Sequence, residues 1–277
     1  QKHMLFQKAL KMAFEKCVND HIIISKFLAQ FIHFALRKGS KIDPKDMEII
    51  MEHTVFLYGY LQDKDYFEKD YQTNLSKRLL DGCYESEQYE KTMILRFKTE
   101  CGYSWSSKLE GMFNDQTLSK QVSNQFRDSM MTSEDIQADF TICTTSFWPI
   151  SEEHKHTQPI IPKSLQNITE KFSRFYVNQH VGNKLTFHMD QGQAEVTIQF
   201  SPQVKRNLIV STYQMMILLL FTDIHTKMLT CQQIMDMTGF SVVFFMIMMN
   251  RINDQGYGAS FVILGPSQSS RIGQITQ

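Results

Sequence analysis

The amino-acid sequence predicts a mainly α protein with a smaller α/β part, and two features of its 277 residues carry that prediction. Up to about residue 130 the apolar residues recur every three or four positions, the period of one face of a helix. Beyond residue 139 the period shortens to two over short segments, as on a half-buried strand. A hydrophobic share of 42% is sufficient for real cores, in one large domain or two ordinary ones.

Each helix of the first part has its own punctuation. Leu5, Phe6, Ala9, Leu10, Ala13, Phe14 and Val18 form one apolar face that ends near Asn19-Asp20 and needs a partner. Ser25 is placed to cap a second helix carrying Phe27, Leu28, Phe31, Ala35 and Leu36, and Lys38-Gly39 supplies a basic last turn with a left-handed stop. Asp43-Pro44 opens a third helix, Asp as cap and Pro where a missing N–H costs nothing, running to about Leu61. A fourth, Asp63 to Leu80, spaces Phe67, Tyr71, Leu75 and Leu79 by four and closes at Gly82. Ser86 caps a fifth that stops at Gly102, and two shorter helices are expected over Ser106 to Phe113 and Leu118 to Met130. The polar run from Met130 reads as a linker. A boundary between a helical bundle and a mixed α/β module falls between Met131 and Asp139, where relative motion is the expectation.

Past that boundary, Asp139 to Thr144 reads as a short strand in which Phe140 and Ile142 alternate with polar neighbours. Ser151 to Pro162 is a loop, and a helix from about Lys163 to His180 carries Leu165, Ile168, Phe172, Phe175 and Tyr176. The clearest β signal follows. Leu185, Phe187 and Met189 alternate with Lys184, Thr186 and His188, Gln191-Gly192 turns, and Ala194, Val196, Ile198 and Phe200 alternate with polar residues, which predicts a hairpin with one buried face. Leu208 to Val210 is another short strand and Thr212 to Phe221 a helical apolar block. Helices near Cys231 to Met237 and Ser241 to Ile252 make a helix-turn-helix-like arrangement. The tail from Gln255 is expected to fray, with only Phe261 to Leu264 able to form a strand.

Composition excludes several classes of function. The 29 basic and 29 acidic residues cancel, so no net charge points to nucleic acid, an anionic membrane or an acidic substrate. Cys17, Cys83, Cys101, Cys143 and Cys231 are scattered, without metal-knuckle or redox-pair spacing, which suits a reducing compartment. No apolar run reaches the roughly 18 to 20 residues of a membrane span, and the first residues are not a signal peptide. Because residue 1 is Gln, the chain is expected to be a piece of something longer. No Gly-rich phosphate loop, nucleophile elbow or paired-carboxylate constellation stands out, so neither catalysis nor a cofactor is expected.

Several segments resemble the cullin family in order and spacing. Leu57-Tyr-Gly-Tyr-Leu-Gln-Asp-Lys-Asp-Tyr-Phe-Glu-Lys69 is similar to its aromatic stretch before Asp-Lys-Asp-x-Phe, and Leu75-Ser-Lys-Arg-Leu-Leu80 to its Leu-Ala-x-Arg-Leu-Leu. Glu90-Lys-Thr-Met-Ile94, Glu100-Cys-Gly-Tyr103 and Ser107-Lys-Leu-Glu-Gly-Met-Phe-Asn-Asp115 continue the likeness. So do Thr144-Thr-Ser-Phe-Trp-Pro149, Phe172-x-x-Phe-Tyr176, His180-Val-Gly-Asn-Lys-Leu-Thr186 and the run Val210 to Phe221. The resemblance runs from about Leu5 to Ile252. It implies the end of a third cullin repeat over 1–62, a four-helix bundle over 63–135, an α/β module over 136–211, and a partial winged helix with a frayed tail over 212–277.

The family's function comes with the resemblance. Cullins are non-catalytic scaffolds of ubiquitin ligases, found in cytoplasm and nucleus, whose α/β part accepts a strand from a RING-finger subunit that recruits the ubiquitin-conjugating enzyme. Strand addition of that kind completes a sheet with the partner's backbone and seats alternate side chains in apolar pockets. The implied receiving surface is a sheet of Asp139 to Cys143, Lys184 to Met189 and Ala194 to Phe200, with Phe140, Ile142, Trp148, Lys184, Leu185, Phe187, Val196 and Ile198 as its site residues. Asn183 stands where the family has Arg, removing a bidentate donor. The final winged helix with the modifier-acceptor lysine, and the amino-terminal repeats that hold substrate adaptors, are expected to be missing. An inactive diverged relative that assembles no ligase is one alternative. A winged-helix nucleic-acid-binding protein is another, set against a recognition segment Ser241-Val-Val-Phe-Phe-Met that lacks Arg or Asn for bases and phosphates.

Other residues have plainer readings. Lys77-Arg78 is read as a solvated helix face, and His154-Lys-His156 lacks a third ligand for a metal. His180 and His188 are structural or surface residues, and Met215, Met216, Met246, Met248 and Met249 belong to core. Trp148 is either an interface anchor or the closure of a core beneath its loop.

Overall fold

Apart from that of the first helix, whose Leu5, Phe6, Leu10 and Phe14 are exposed, the apolar stripes of the first half pack against one another in the computed structural model, which describes residues 2–21, 23–130, 137–149, 159–180, 182–201, 204–221, 229–246 and 271–272. The architecture is mainly helical with a smaller β-containing region. Contacts divide the chain into two compact units, Gln1–Gln125 with Asp139–Ile150, and Phe126–Ala138 with Ser151–Gln277.

The first unit is built from α1 (Lys2–Val18), α2 (Ile23–Leu36), α3 (Pro44–Tyr60), α4 (Lys64–Leu80), α5 (Glu87–Cys101) and most of α6 (Tyr103–Met130). Caps behave as the sequence suggests: Asp43 accepts from the Lys45 N–H at 3.0 Å, Ser86 accepts from Gln88 at 3.2 Å, and Gly82 and Gly102 follow their helices with φ of 60° and 78°. The stripe Phe67, Tyr71, Leu75 and Leu79 is buried. Tyr58, Phe67, Tyr71, Phe97 and Trp105 form an aromatic hub with ring centroids 5.0 to 6.5 Å apart, in largely edge-to-face and tilted pairs.

Four expectations for this unit are corrected. Ser25 is no cap: α2 starts at Ile23 and Ser25 is buried within it. Its inward stripe is Leu28, Ile32, Ala35 and Leu36, while Phe27 and Phe31 face solvent; α2 is apolar almost all round, so its period selects no single face. The two short helices over Ser106 to Met130 are one 28-residue helix, α6. Its polar middle, Asn114 to Thr117, reads as a break, yet Gln116 is held by donating to the Leu79 carbonyl at 2.6 Å. Arg78 is not solvated either. It is 0% exposed and forks onto Glu90 of α5, Nε to Oε1 at 2.5 Å and Nη2 to Oε2 at 2.9 Å. Its Nη1 lies 2.9 Å from His33 Nδ1.

In the second unit α7 (Lys163–Gln179) buries Ile168, Phe172, Phe175 and Tyr176 as expected, with Phe126 packed edge-on to Phe172 at 5.2 Å. The hairpin is corrected. Residues 183–188 form no strand and lead into a 3-10 turn, Met189–Gln191, whereas β1 (Gln193–Ser201) pairs antiparallel with β2 (Val204–Ser211). Both Leu185 to Met189 and Ala194 to Phe200 alternate, with the turn signal Gln191-Gly192 between them; residues 202–203, between β1 and β2, lie outside the described residues. Opposed pairs Ala194↔Val210 and Val196↔Leu208 line one face, with Leu208 and Val210 buried.

Reciprocal capping boxes start the next two helices: Ser211 with Gln214 for α8 (Thr212–Leu219), and Thr230 with Gln233 for α9 (Cys231–Thr238). Gly239, φ 72°, ends α9. With helical residues 242–246 they enclose a core of Tyr213, Met216, Ile217, Ile234, Phe240, Phe244 and Phe245. Met216 is core as expected, Met246 is exposed, and Met248 and Met249 lie outside the described residues, as do the linker 131–136, His154, His156 and Phe261 to Leu264. The tail is not wholly frayed, because β4 (Arg271–Ile272) pairs with β3 (Leu229–Thr230).

Candidate functional site

Three of the site residues expected from the sequence lie together on the first unit. Phe140 and Ile142 belong to a stretch, 139–144, that is not a strand of any described sheet and is hydrogen-bonded to α6. The Phe140 N–H donates to Ser123 Oγ at 3.0 Å and its carbonyl accepts from the same hydroxyl at 3.0 Å. The Ile142 N–H donates to Ser119 Oγ at 2.7 Å. Thr144 gives its N–H to Asp115 Oδ2 at 2.8 Å and its hydroxyl to Oδ1 at 3.1 Å. The period-two pattern thus marked extended backbone correctly, and a helix rather than a strand satisfies it.

Trp148 closes the core. It is 3% exposed, joins the cluster around Tyr71 and Leu109, and donates Nε1–H to Asp115 Oδ2 at 2.8 Å. Its neighbour Phe147 is pinned from two sides: Gln72 donates to its carbonyl at 2.6 Å, and its ring occupies the space a Cβ on Gly111 would need, 2.5 to 2.7 Å away. Burial and then the Asp115 carboxylate push the Cys143 thiol up to about 12, so it is protonated at neutral pH and a poor nucleophile.

The other site residues belong to the second unit. Lys184 is exposed, Leu185 and Phe187 are half-buried, and the Phe187 ring meets Phe172 of α7 at 6.5 Å. Val196 is half-buried opposite Leu208, and Ile198 is paired with Arg206 in the register of β1 and β2. No described sheet joins 139–143, 184–189 and 194–200, so the expected three-segment sheet is corrected to a two-stranded one. A lone hairpin of this kind is marginal and keeps an edge on which another strand can pair. Asn183 is exposed and donates its N–H to the His180 carbonyl at 3.2 Å.

Among the described residues no group of His, Cys, Asp and Glu is arranged to hold a metal, and no helix is long and apolar enough to cross a membrane. The His180 ring lies tilted against Tyr176 with centroids 4.4 Å apart, and His188 lies 3.8 Å from Asp190. Asp115, Ser119, Ser123, Gln72 and Gly111 were missed as determinants of this region. The spacing of Asp115, Ser119 and Ser123 by four was a usable signal, hidden by reading a helix break across it.

Two family models match consecutive stretches of the chain, the cullin alpha solenoid domain over residues 1–123 and the cullin alpha+beta domain over residues 142–246. The chain belongs to the cullin family. Similar curated proteins include Cullin-3A of Arabidopsis thaliana, 38% identical over 224 residues that make up 79% of this chain and 30% of that protein. Cullin-3 of Dictyostelium discoideum is 35% identical over 86% of this chain and 31% of its own length. Cullin-1 of Schizosaccharomyces pombe is 32% identical over 88% and 33%. The chain therefore spans about a third of the length of these cullins. The polar rungs on α6 fall within or at the end of the cullin solenoid match, and Ile142 and Trp148 within the cullin alpha+beta match.

Proposed function

We propose that this chain is part of a non-catalytic scaffold of a cullin-RING ubiquitin ligase, and that its α/β part binds a RING-finger subunit, which brings the ubiquitin-conjugating enzyme and so supports ubiquitin-dependent protein degradation. The observation that carries the reading is the extended backbone within and just before the stretch similar to the cullin alpha+beta domain. There a two-stranded sheet has no described third strand, and the stretch 139–144 is hydrogen-bonded through alternate residues. Both are suited to strand addition, in which main-chain hydrogen bonds supply affinity and apolar pockets supply specificity. Phe140, Ile142, Leu185, Phe187, Val196 and Ile198 would provide the apolar contacts, Lys184 a charged rim, and Trp148 the anchor of the loop beneath. The division into the end of a cullin repeat, a four-helix bundle, an α/β module and a partial winged helix belongs to the same proposal, as does residence in cytoplasm and nucleus.

The test is co-expression with a RING-finger subunit followed by size-exclusion chromatography and titration of the purified complex. A one-to-one complex is expected, with Phe187→Asp weakening it at least tenfold while the helical circular-dichroism signal is retained, and Lys184→Glu acting in the same direction by less. A folded chain that never co-elutes with the subunit overturns the reading in favour of an inactive relative.

A further inference from the structure

A backbone needs hydrogen-bond partners wherever it is buried, and an extended segment ordinarily finds them on a neighbouring strand. In the stretch 139–144 they come from a helix. Asp115, Ser119 and Ser123 lie at intervals of four on α6, and their partners Thr144, Ile142 and Phe140 lie at intervals of two, running in the opposite direction. The spacings match: four residues of helix rise about 6 Å and two residues of strand about 6.6 Å. The stripe winds by about 40° at each step, so three rungs are close to the most such a ladder can hold.

We infer that Asp115, Ser119 and Ser123 are positioning residues that stand in for a strand, fixing 140–144 in extended form on one edge and leaving the other edge to an extended partner segment. Each rung is specific. Ser123 both accepts from and donates to Phe140. Ser119 accepts from Ile142 and turns its own proton to the Asp115 carbonyl at 2.6 Å, which links the rungs. The Asp115 carboxylate accepts from three donors: the Thr144 N–H, the Thr144 hydroxyl and the Trp148 indole. All three ladder side chains are buried. The intervening Thr141 and Cys143 give their N–H groups to no described residue, and Thr141 is exposed. Ordering an extended backbone costs conformational entropy at every residue, and a ladder that has already ordered it leaves less of that cost to the binding event.

The assignment of the open edge to a RING-finger subunit rests on the function proposed above, whereas the ladder does not. Residue-resolved amide hydrogen exchange on the whole chain, with and without the RING subunit, separates the two. Expected in the free chain is alternation, with Phe140, Ile142 and Thr144 protected and Thr141 and Cys143 exchanging freely. The double variant Ser119→Ala, Ser123→Ala should lose protection at 140 and 142 with its helices intact, and bind the RING subunit about tenfold more weakly. Asp115→Asn should instead release Thr144 and Trp148. Equal exchange at all five amides, or unchanged protection in the double variant, overturns the ladder. Alternation in a chain that binds no RING subunit overturns the partner and leaves the ladder standing.

Discussion

Arg78 and Glu90 show how much of the helical unit hangs on single side chains. Burial works against the Arg78 charge, but the Glu90 carboxylate and its hydrogen bonds more than offset this and raise the guanidinium above its ordinary value. Removing one member strands the other charge in a dry core, a loss of about 3–5 kcal/mol. Urea unfolding should show that loss for Glu90→Gln and for Arg78→Met, and a smaller one for the double apolar replacement; single variants within about 1 kcal/mol of the parent would contradict the pairing. His33 reports on the same site. Burial, then Arg78, Arg37 and Lys77, lower it from 6.5 to about 4. The unfolded chain therefore takes up the proton first as pH falls. The stability that neutral His33 contributes is complete above pH 6.5 and is lost progressively towards pH 4. Unfolding midpoints across that window should fall more steeply for the parent than for His33→Gln.

At the scale of elements, helices with internal punctuation were legible and choices between partners were not. Asp43-Pro44, Ser86, Gly82 and Gly102 act locally, so the sequence around them is enough. The 184–200 hairpin failed because 184–189 alternates and adjoins a turn signal whereas 204–211 does not alternate, and only packing selects β2. Asp139 to Thr144 was recognisable as extended, but its partner is a stripe of α6 more than 15 residues away in sequence. Arg78 failed for a similar reason, since its carboxylate comes from the next helix. Gly111 is the clearest case of a residue explained only by tertiary structure: the Phe147 ring lies against it. Gly111→Ala improves helix propensity by about 1 kcal/mol and should nonetheless destabilise the protein, because the methyl displaces Phe147. A raised melting temperature would show that the ring gives way freely.

For the whole molecule, the sequence motifs, the cullin matches over 1–123 and 142–246 and the mainly helical fold agree on a cullin lineage. The site was less legible than the family, because Phe140 and Ile142 are ordered by α6 whereas Val196 and Ile198 are ordered by β2. The central claim is that this α/β part receives a RING-finger subunit. Hydrogen-exchange mass spectrometry of the chain alone and in a saturating excess of that subunit tests it most directly. The account predicts new protection within 139–144 and within 184–201, with exchange in α1 unchanged. Complex formation that leaves both segments exchanging as in the free chain would contradict it.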